Sequence, residues 1–176
     1  MRKIILYSAM SLNGHIARAD GRVDWLDAIP NPEQSDYGYY DFYAGIDTTL
    51  QGNATYRQVK GWDIEFPYKD KKNYVLTRQQ DLPPDENVEY ITHNHIETIR
   101  QMKQMEGQDI WLIGGGQINT LLFNASLIDE LILHIMPIVL PDGIALFEAI
   151  PAEKQLQLLR SKSYSSGVLE LHYQIK

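Results

Sequence analysis

Residues Ile110-Trp111-Leu112-Ile113-Gly114-Gly115-Gly116-Gln117-Ile118 carry an apolar run straight through three glycines into a helix-like stretch. Glycine lets a backbone come close to a ligand, and the N–H groups of a first helical turn have no partner inside the helix. Together they can cradle a phosphate. The doubly wound dinucleotide fingerprint would need a glycine where Asn119 stands, and a P-loop would need Gly-Lys-Ser/Thr, so neither motif applies. A tight strand-to-helix turn with no ligand accounts for the same residues. A second unit of this kind is Leu50-Gln51-Gly52-Asn53-Ala54-Thr55-Tyr56, where Asn53 can cap a helix and Thr55 sets a hydroxyl near its exposed N–H groups. Two such units in one chain can grip the two phosphates of a dinucleotide from opposite sides.

Among the acids, Asp36 stands out. Asn31-Pro32-Glu33 reads as a helix start, which would put Asp36 on one face with Tyr39, Tyr40 and Tyr43 at i+3, i+4 and i+7. A carboxylate among aromatic rings is pushed up by desolvation and can donate a proton or hold an aminopyrimidine edge. A solvated acid favoured by a helix dipole is the competing reading. His93 and His95 flank Asn94 without a third ligand nearby, so no metal is expected there. His134 alternates in phase with Ile132 and Met136 and reads as a hydrogen-bonded core histidine. Trp25, Trp62 and Trp111 read as packing, and no nucleophile motif is present.

These groups must be held by short β-rich runs that alternate with helix-period segments. Strands are expected at Ile4 to Met10, Thr48 to Gln51, Asn73 to Thr77, Val88 to Thr92, Ile110 to Ile113 and Leu131 to Val139, with Val168 to Gln174 pairing antiparallel to residues around 158 to 164. Helices are expected from Asn31, with Tyr39, Phe42, Tyr43 and Ile46 on its apolar face, and from Ala54 to about Val59. A further helix is expected after an Asn94/Glu97 capping box, ending near Gly107, and another carries Ile118, Leu121, Leu122 and Ala125. The pattern implies an α/β sandwich of three layers: a mixed, mostly parallel central sheet with antiparallel C-terminal strands. A chain of 176 residues fits one domain spanning 1–176.

Composition narrows the function. A formal net charge of −7 speaks against a nucleic acid or an anionic membrane as main partner. No cysteine is present, which removes thiol nucleophiles, disulfides and cysteine-bound metals. The N-terminal apolar run is too short for a signal segment, and no stretch approaches the ~20 apolar residues of a membrane span. A soluble, cytoplasmic protein is expected.

Read in order, the same segments resemble a known family. Ser11-Leu12-Asn13-Gly14-His15-Ile16-Ala17 is similar to the Ser-Leu-Asp-Gly-x-Ile-Ala stretch in the reductase domain of bacterial riboflavin-biosynthesis deaminase/reductases. Gly52-x-x-Thr55-Tyr56 resembles the Gly-Arg-x-Thr-aromatic segment which that domain shares with dihydrofolate reductases. Val75-Leu76-Thr77-Arg78, the Ile113-Gly114-Gly115-Gly116 turn, and Asp129-Glu130-Leu131 through Pro137 to Gly143, Leu146 and Phe147 continue the likeness along nearly the whole chain.

The resemblance implies a dihydrofolate-reductase-like fold and hydride transfer from NADPH to a small heterocycle. The implied substrate is an aminopyrimidine of the 5-amino-6-(5-phosphoribosylamino)uracil type. A dihydrofolate or other pteridine substrate is the alternative, as is a non-catalytic nucleotide-binding protein of the same fold. It further implies that Ala9 and Ile16 flank the nicotinamide, and that Gly52 and Thr55 face Gly115, Gly116, Gln117 and Ile118 across the pyrophosphate. Thr77 and Arg78 lie at the adenosine end, the Gly114–Gly115 peptide is cis, and a homodimer is suggested. Asp36 falls on the helix from which dihydrofolate reductases present their substrate carboxylate. Two departures matter. Asn53 replaces the arginine usual at the 2′-phosphate, which leaves NADH open beside NADPH, and Asn13 replaces the usual aspartate.

Overall fold

The computed structural model describes residues 1–176. β1 (Ile4–Ser11) turns at Asn13-Gly14 into β2 (His15–Ala17), and α1 (Tyr39–Ala44) precedes β3 (Ile46–Gly52). Then follow α2 (Asn53–Lys60), β4 (Lys72–Leu76), β5 (Glu89–Ile91), α3 (His95–Gln104), β6 (Asp109–Gly114), α4 (Gly116–Asn124) and β7 (Glu130–Met136). The chain ends with β8 (Ile144–Ala145), β9 (Leu156–Ser163) and β10 (Leu169–Ile175). Eight strands make one sheet in the order β5-β4-β3-β6-β1-β7-β10-β9, and β2 with β8 makes a separate ribbon. The first six run parallel, because helices and long connections return the chain to the same end. β10 lies antiparallel to β7, and β9 antiparallel to β10. The mixed sheet with its antiparallel C-terminal pair agrees with the sequence reading.

Side-chain alternation along each strand divides the core. Leu112 joins Ile4, Leu6, Leu50 and Ile110 beneath Ile99 of α3 and Leu122 of α4. Its neighbour Trp111 turns the other way, to Ile46 and Tyr68, with Val59 of α2 and Phe42 of α1. One strand thereby serves two layers. Trp25, Met136, Leu140 and Val168 close a smaller cluster on the β1–β7–β10 side.

The amino ends of four strands are tied by buried cations. Arg2 pairs with Asp47 at the start of β3, and its guanidinium also donates to Thr48 Oγ1 (2.7 Å) and to the Gln108 carbonyl (2.5 Å) before β6. Lys103 Nζ donates to the Leu127 carbonyl (2.9 Å) and to Asp129 Oδ2 (2.6 Å), which also accepts the Ile4 N–H. The carboxyl ends carry no such lock. No helix is long and apolar enough to cross a membrane.

Three local expectations need correction. No helix starts at Asn31; α1 begins at Tyr39. The Asn31 side chain brackets Ser35 instead, accepting its N–H (3.0 Å) and donating to its carbonyl (2.8 Å). Gln34 and Tyr37 take φ of +50° and +53°, which a right-handed helix does not admit. Asn94 likewise sits at φ 49° and makes no side-chain cap for α3, so the capping box is not formed. β7 stops at Met136 rather than Val139, since Pro137 has no N–H for the ladder.

Leu112 is fully buried in the central strand, whereas Leu121 on α4 is 38% exposed. Leu112→Ala is expected to cost about 2–5 kcal/mol and Leu121→Ala under about 1 kcal/mol, read from urea unfolding midpoints at constant slope. Equal losses would contradict the assignment of the core.

Candidate active site

β3 and β6 are parallel neighbours in which Gln51 stands opposite Gly114, so the helices that follow them start side by side. A Cβ placed on Gly52 would lie 2.9 Å from Ile118 Cγ1, and one on Gly115 would lie 3.3 Å from Thr55 Oγ1. The two turns therefore touch, and glycine is what lets their backbones come this close at the edge of the cleft. The Gly114–Gly115 peptide is cis, as expected. Neither α2 nor α4 has a side-chain cap: Gly52 and Gly115 occupy the N-cap positions. Asn53, expected to cap α2, instead donates to Gln79 Oε1 at 3.2 Å. The N–H groups of both first turns are left for an anion.

A cleft of about 810 Å³ opens at this junction. Its floor holds Gly52, Thr55, Gly115, Gly116, Gln117 and Ile118, and its far end holds Thr77 and Arg78. Eight of the ten residues expected around a dinucleotide are thus brought together. Ile16 lies just outside, its Cδ1 3.9 Å from the Gly115 Cβ position. Ala9 lies outside the lining as well, on β1 in register with His134. The opposite wall, Ala19 to Gly21 with Ile144 and Glu148, did not emerge from sequence reasoning, and neither did Gln58 and His95. Asp20-Gly21 is a turn dipeptide by its residue types, but its place across the cleft depends on the β2–β8 pairing.

The cleft is not uniformly basic. Arg78 is its exposed cation, while Asp20 and Glu148 face it as acids. The Arg22 guanidinium and N–H hold the Asp20 carboxyl below the usual carboxylate range. Asn13 pins the β1–β2 turn, donating to the Leu140 carbonyl (2.7 Å) and accepting the Leu140 N–H (3.1 Å).

Beside Ala9, on the sheet face toward α1, the side chains are aromatic and polar. Tyr7 stacks on Phe42 with ring centres 4.2 Å apart and lies 5.0 Å from the His134 ring. Burial, then the Glu170 charge, pushes the Tyr7 phenol well above its ordinary range. His134 is 2% exposed, and its Nε2 donates to the Tyr37 carbonyl at 3.0 Å. It is the hydrogen-bonded core histidine anticipated from its phase, and burial lowers its pKa. Glu170 is equally buried; desolvation pushes its carboxyl up, but Arg160 and Tyr164 outweigh that and hold it down.

Asp36 does not meet its expectation. It is exposed, ahead of α1 rather than on it, and its two oxygens accept the N–H groups of Gly38 (3.1 Å) and Tyr40 (3.0 Å). Those backbone bonds lower its pKa, the opposite of the rise a proton donor needs. The two histidines around Asn94 face different partners: His93 Nδ1 lies 3.1 Å from Thr92 Oγ1, whereas His95 points into the sheet end.

The model of the RibD C-terminal domain matches residues 2–169. YwjB of Bacillus subtilis (strain 168), a protein without a characterised function, is 40% identical over 172 residues, covering 98% of this chain and 97% of its own. The crystal structure of a candidate riboflavin biosynthesis protein from Shewanella sp. PV-4 superposes with a TM-score of 0.88 at 26% identity, covering 100% of this chain and 99% of that one. Dihydrofolate reductase from Enterococcus faecalis, complexed with NADP(H), shares the fold with a TM-score of 0.69 at 16% identity, over 99% of this chain and 96% of that one.

Glycine's place at the junction can be tested by adding a methyl group. On Gly116 it would meet the Ala145 carbonyl oxygen and the Glu148 stem, of which the carbonyl is main chain. On Gly52 it would meet Ile118 Cγ1 at 2.9 Å, a side-chain rather than a main-chain atom, though on a residue whose χ1 the helix restricts. Gly116→Ala is expected to cost about 2–3 kcal/mol and Gly52→Ala about 1 kcal/mol in urea unfolding. The reverse order would show that the junction is packed differently.

Proposed function

Because the chain belongs to the RibD C-terminal domain family, we propose that it is an NADPH-dependent reductase of a small heterocycle, with 5-amino-6-(5-phosphoribosylamino)uracil reductase-type activity as the best match. One observation carries the cofactor part: two uncapped helix starts pack against each other at one cleft, so closely that a Cβ on Gly52 would strike Ile118.

When bound, reduced nicotinamide supplies a hydride. The chain's own groups bind and orient. The first-turn N–H groups after Gly52 and Gly115 hold a diphosphate from two sides, and the Thr55 hydroxyl adds a donor. Arg78, at the end of β4, takes the 2′-phosphate charge in the place left by Asn53. Ile16, beside Gly115, and Ala9 on β1 would flank the nicotinamide. Holding both reactants in one geometry is the main catalytic contribution of such a site.

Thermal unfolding with NADPH far above Kd is expected to raise the midpoint by several degrees, since 100 × Kd adds about 2.7 kcal/mol. Arg78→Met is expected to weaken NADPH about tenfold while changing NADH little. Absorbance loss at 340 nm with a panel of aminopyrimidines and pteridines then identifies the substrate. No midpoint change with either dinucleotide would end the cofactor reading, and a midpoint change without oxidation of any panel member would favour a binding protein.

A further inference from the structure

Glu148, just past β8, brings an acid to the start of α4 from outside that helix. Its N–H donates to the Gly116 carbonyl oxygen at 3.3 Å, and its carbonyl accepts the Thr120 hydroxyl. Asn124, at the end of α4, takes the Ala152 N–H at 2.7 Å, so the segment is tied along the helix. The side chain lies on the glycine turn itself: a Cβ on Gly116 would stand 2.7 Å from Glu148 Cγ and 3.1 Å from its Oε2. Glu148 lines the cleft with Gly115, Gly116 and Gln117, and its carboxylate makes no hydrogen bond or ion pair within the chain.

We infer that Glu148 is a specificity-determining residue: its fixed charge lets the paired helix starts accept a diphosphate esterified at both ends and reject a nucleotide that ends in a free phosphate. This rests on the dinucleotide reading above. First-turn N–H groups bind any phosphate, so by themselves they do not tell these two classes apart. Charge does. Inside a dinucleotide each phosphate is substituted on two sides and carries about one negative charge, whereas a terminal phosphate carries about one more above its second pKa near ~6.

The magnitudes favour rejection. One helix start offers about half a positive charge, and the two starts together about one. The full charge of Glu148, placed against α4, offsets that sum. The diphosphate is then held by hydrogen bonds, and an added negative charge meets repulsion with no cation beside it. Asp20, the other acid of the cleft, is already paired with Arg22, and Arg78 stands at the far end. In the free protein the same placement suits the carboxylate, since a helix start favours an anion.

The test measures Kd by calorimetry for ADP and for ADP-ribose, which share the adenosine diphosphate half and differ in the ester on the second phosphate. It is run without divalent cations at pH ~8, where a terminal phosphate is fully ionised. The proteins are the wild type, Glu148→Gln and Glu148→Ala. Glu106→Gln, which removes an exposed charge between α3 and β6, controls for net charge. Both Glu148 variants are expected to bind ADP about tenfold more tightly and ADP-ribose at most about threefold more tightly, with added salt narrowing the gap. The control is expected to match the wild type. A ratio of the two Kd values that is the same in the wild type and the Glu148 variants would overturn the inference. Weaker ADP-ribose binding in the variants would overturn it too, by making the carboxylate a ligand for ribose hydroxyls. If one variant fails to fold, the other decides. NADPH and NADH are measured alongside. Dinucleotide binding with an unchanged ratio removes only the role of Glu148, whereas no binding of any of the four compounds ends the cofactor reading and this inference together.

Discussion

The parallel pairing of β3 with β6 is the constraint on which the rest depends. Parallel strands deliver their carboxyl ends to one edge of the sheet, and each is followed at once by a helix. The two helix starts then lie in contact, with partial positive charge on both. Nothing in either first turn neutralises that charge, because the N-cap positions are glycines without side chains. A site for a diphosphate follows from topology before any particular side chain is considered.

The two ends of the strands are treated differently. At the amino ends, Arg2 and Lys103 are buried and each meets a carboxylate and a main-chain carbonyl, so the elements there are held in a fixed relation. Removing one member of such a pair would strand a charge in the interior, which makes this end intolerant of change. At the carboxyl ends the cleft is lined by main-chain N–H, hydroxyl, the exposed Arg78 guanidinium and the acids Asp20 and Glu148, none of these charges buried in the core. The rigid end supports the open one.

The face toward α1 adds a second environment. Tyr7, Phe42, Trp111 and the neighbouring rings pack edge-to-face and stacked, giving a stiff wall next to Ala9. Buried within it, His134 gives its N–H to the Tyr37 carbonyl, and the Glu170 charge is answered by Tyr164 and Arg160. Titration there is suppressed. At the cleft end His95 has one nitrogen fixed by two main-chain carbonyls and the other without a partner in the chain.

Much of this was written in local pattern. The strand runs, the glycine turn after Ile113 and the strand–Gly52–helix unit follow from periodicity and backbone freedom, which act over a few residues. The order of those motifs led to the family and to most of the cleft. Asp36 was misplaced because helix-start residues at 31–33 are also turn residues, and Asn31 can satisfy the backbone either way; the packing of the loop against His134 and Glu170 chose the turn. The far wall at Ala19 to Gly21 and Glu148, and the engagement of His95 with two carbonyls, join segments far apart in the chain. What the residues determined alone was the set of elements and their uncapped starts. Which of those starts face each other, and which nitrogen of His95 stays free, only the tertiary structure decided, because long-range strand pairing and packing select among conformations that local preference leaves nearly equal in energy.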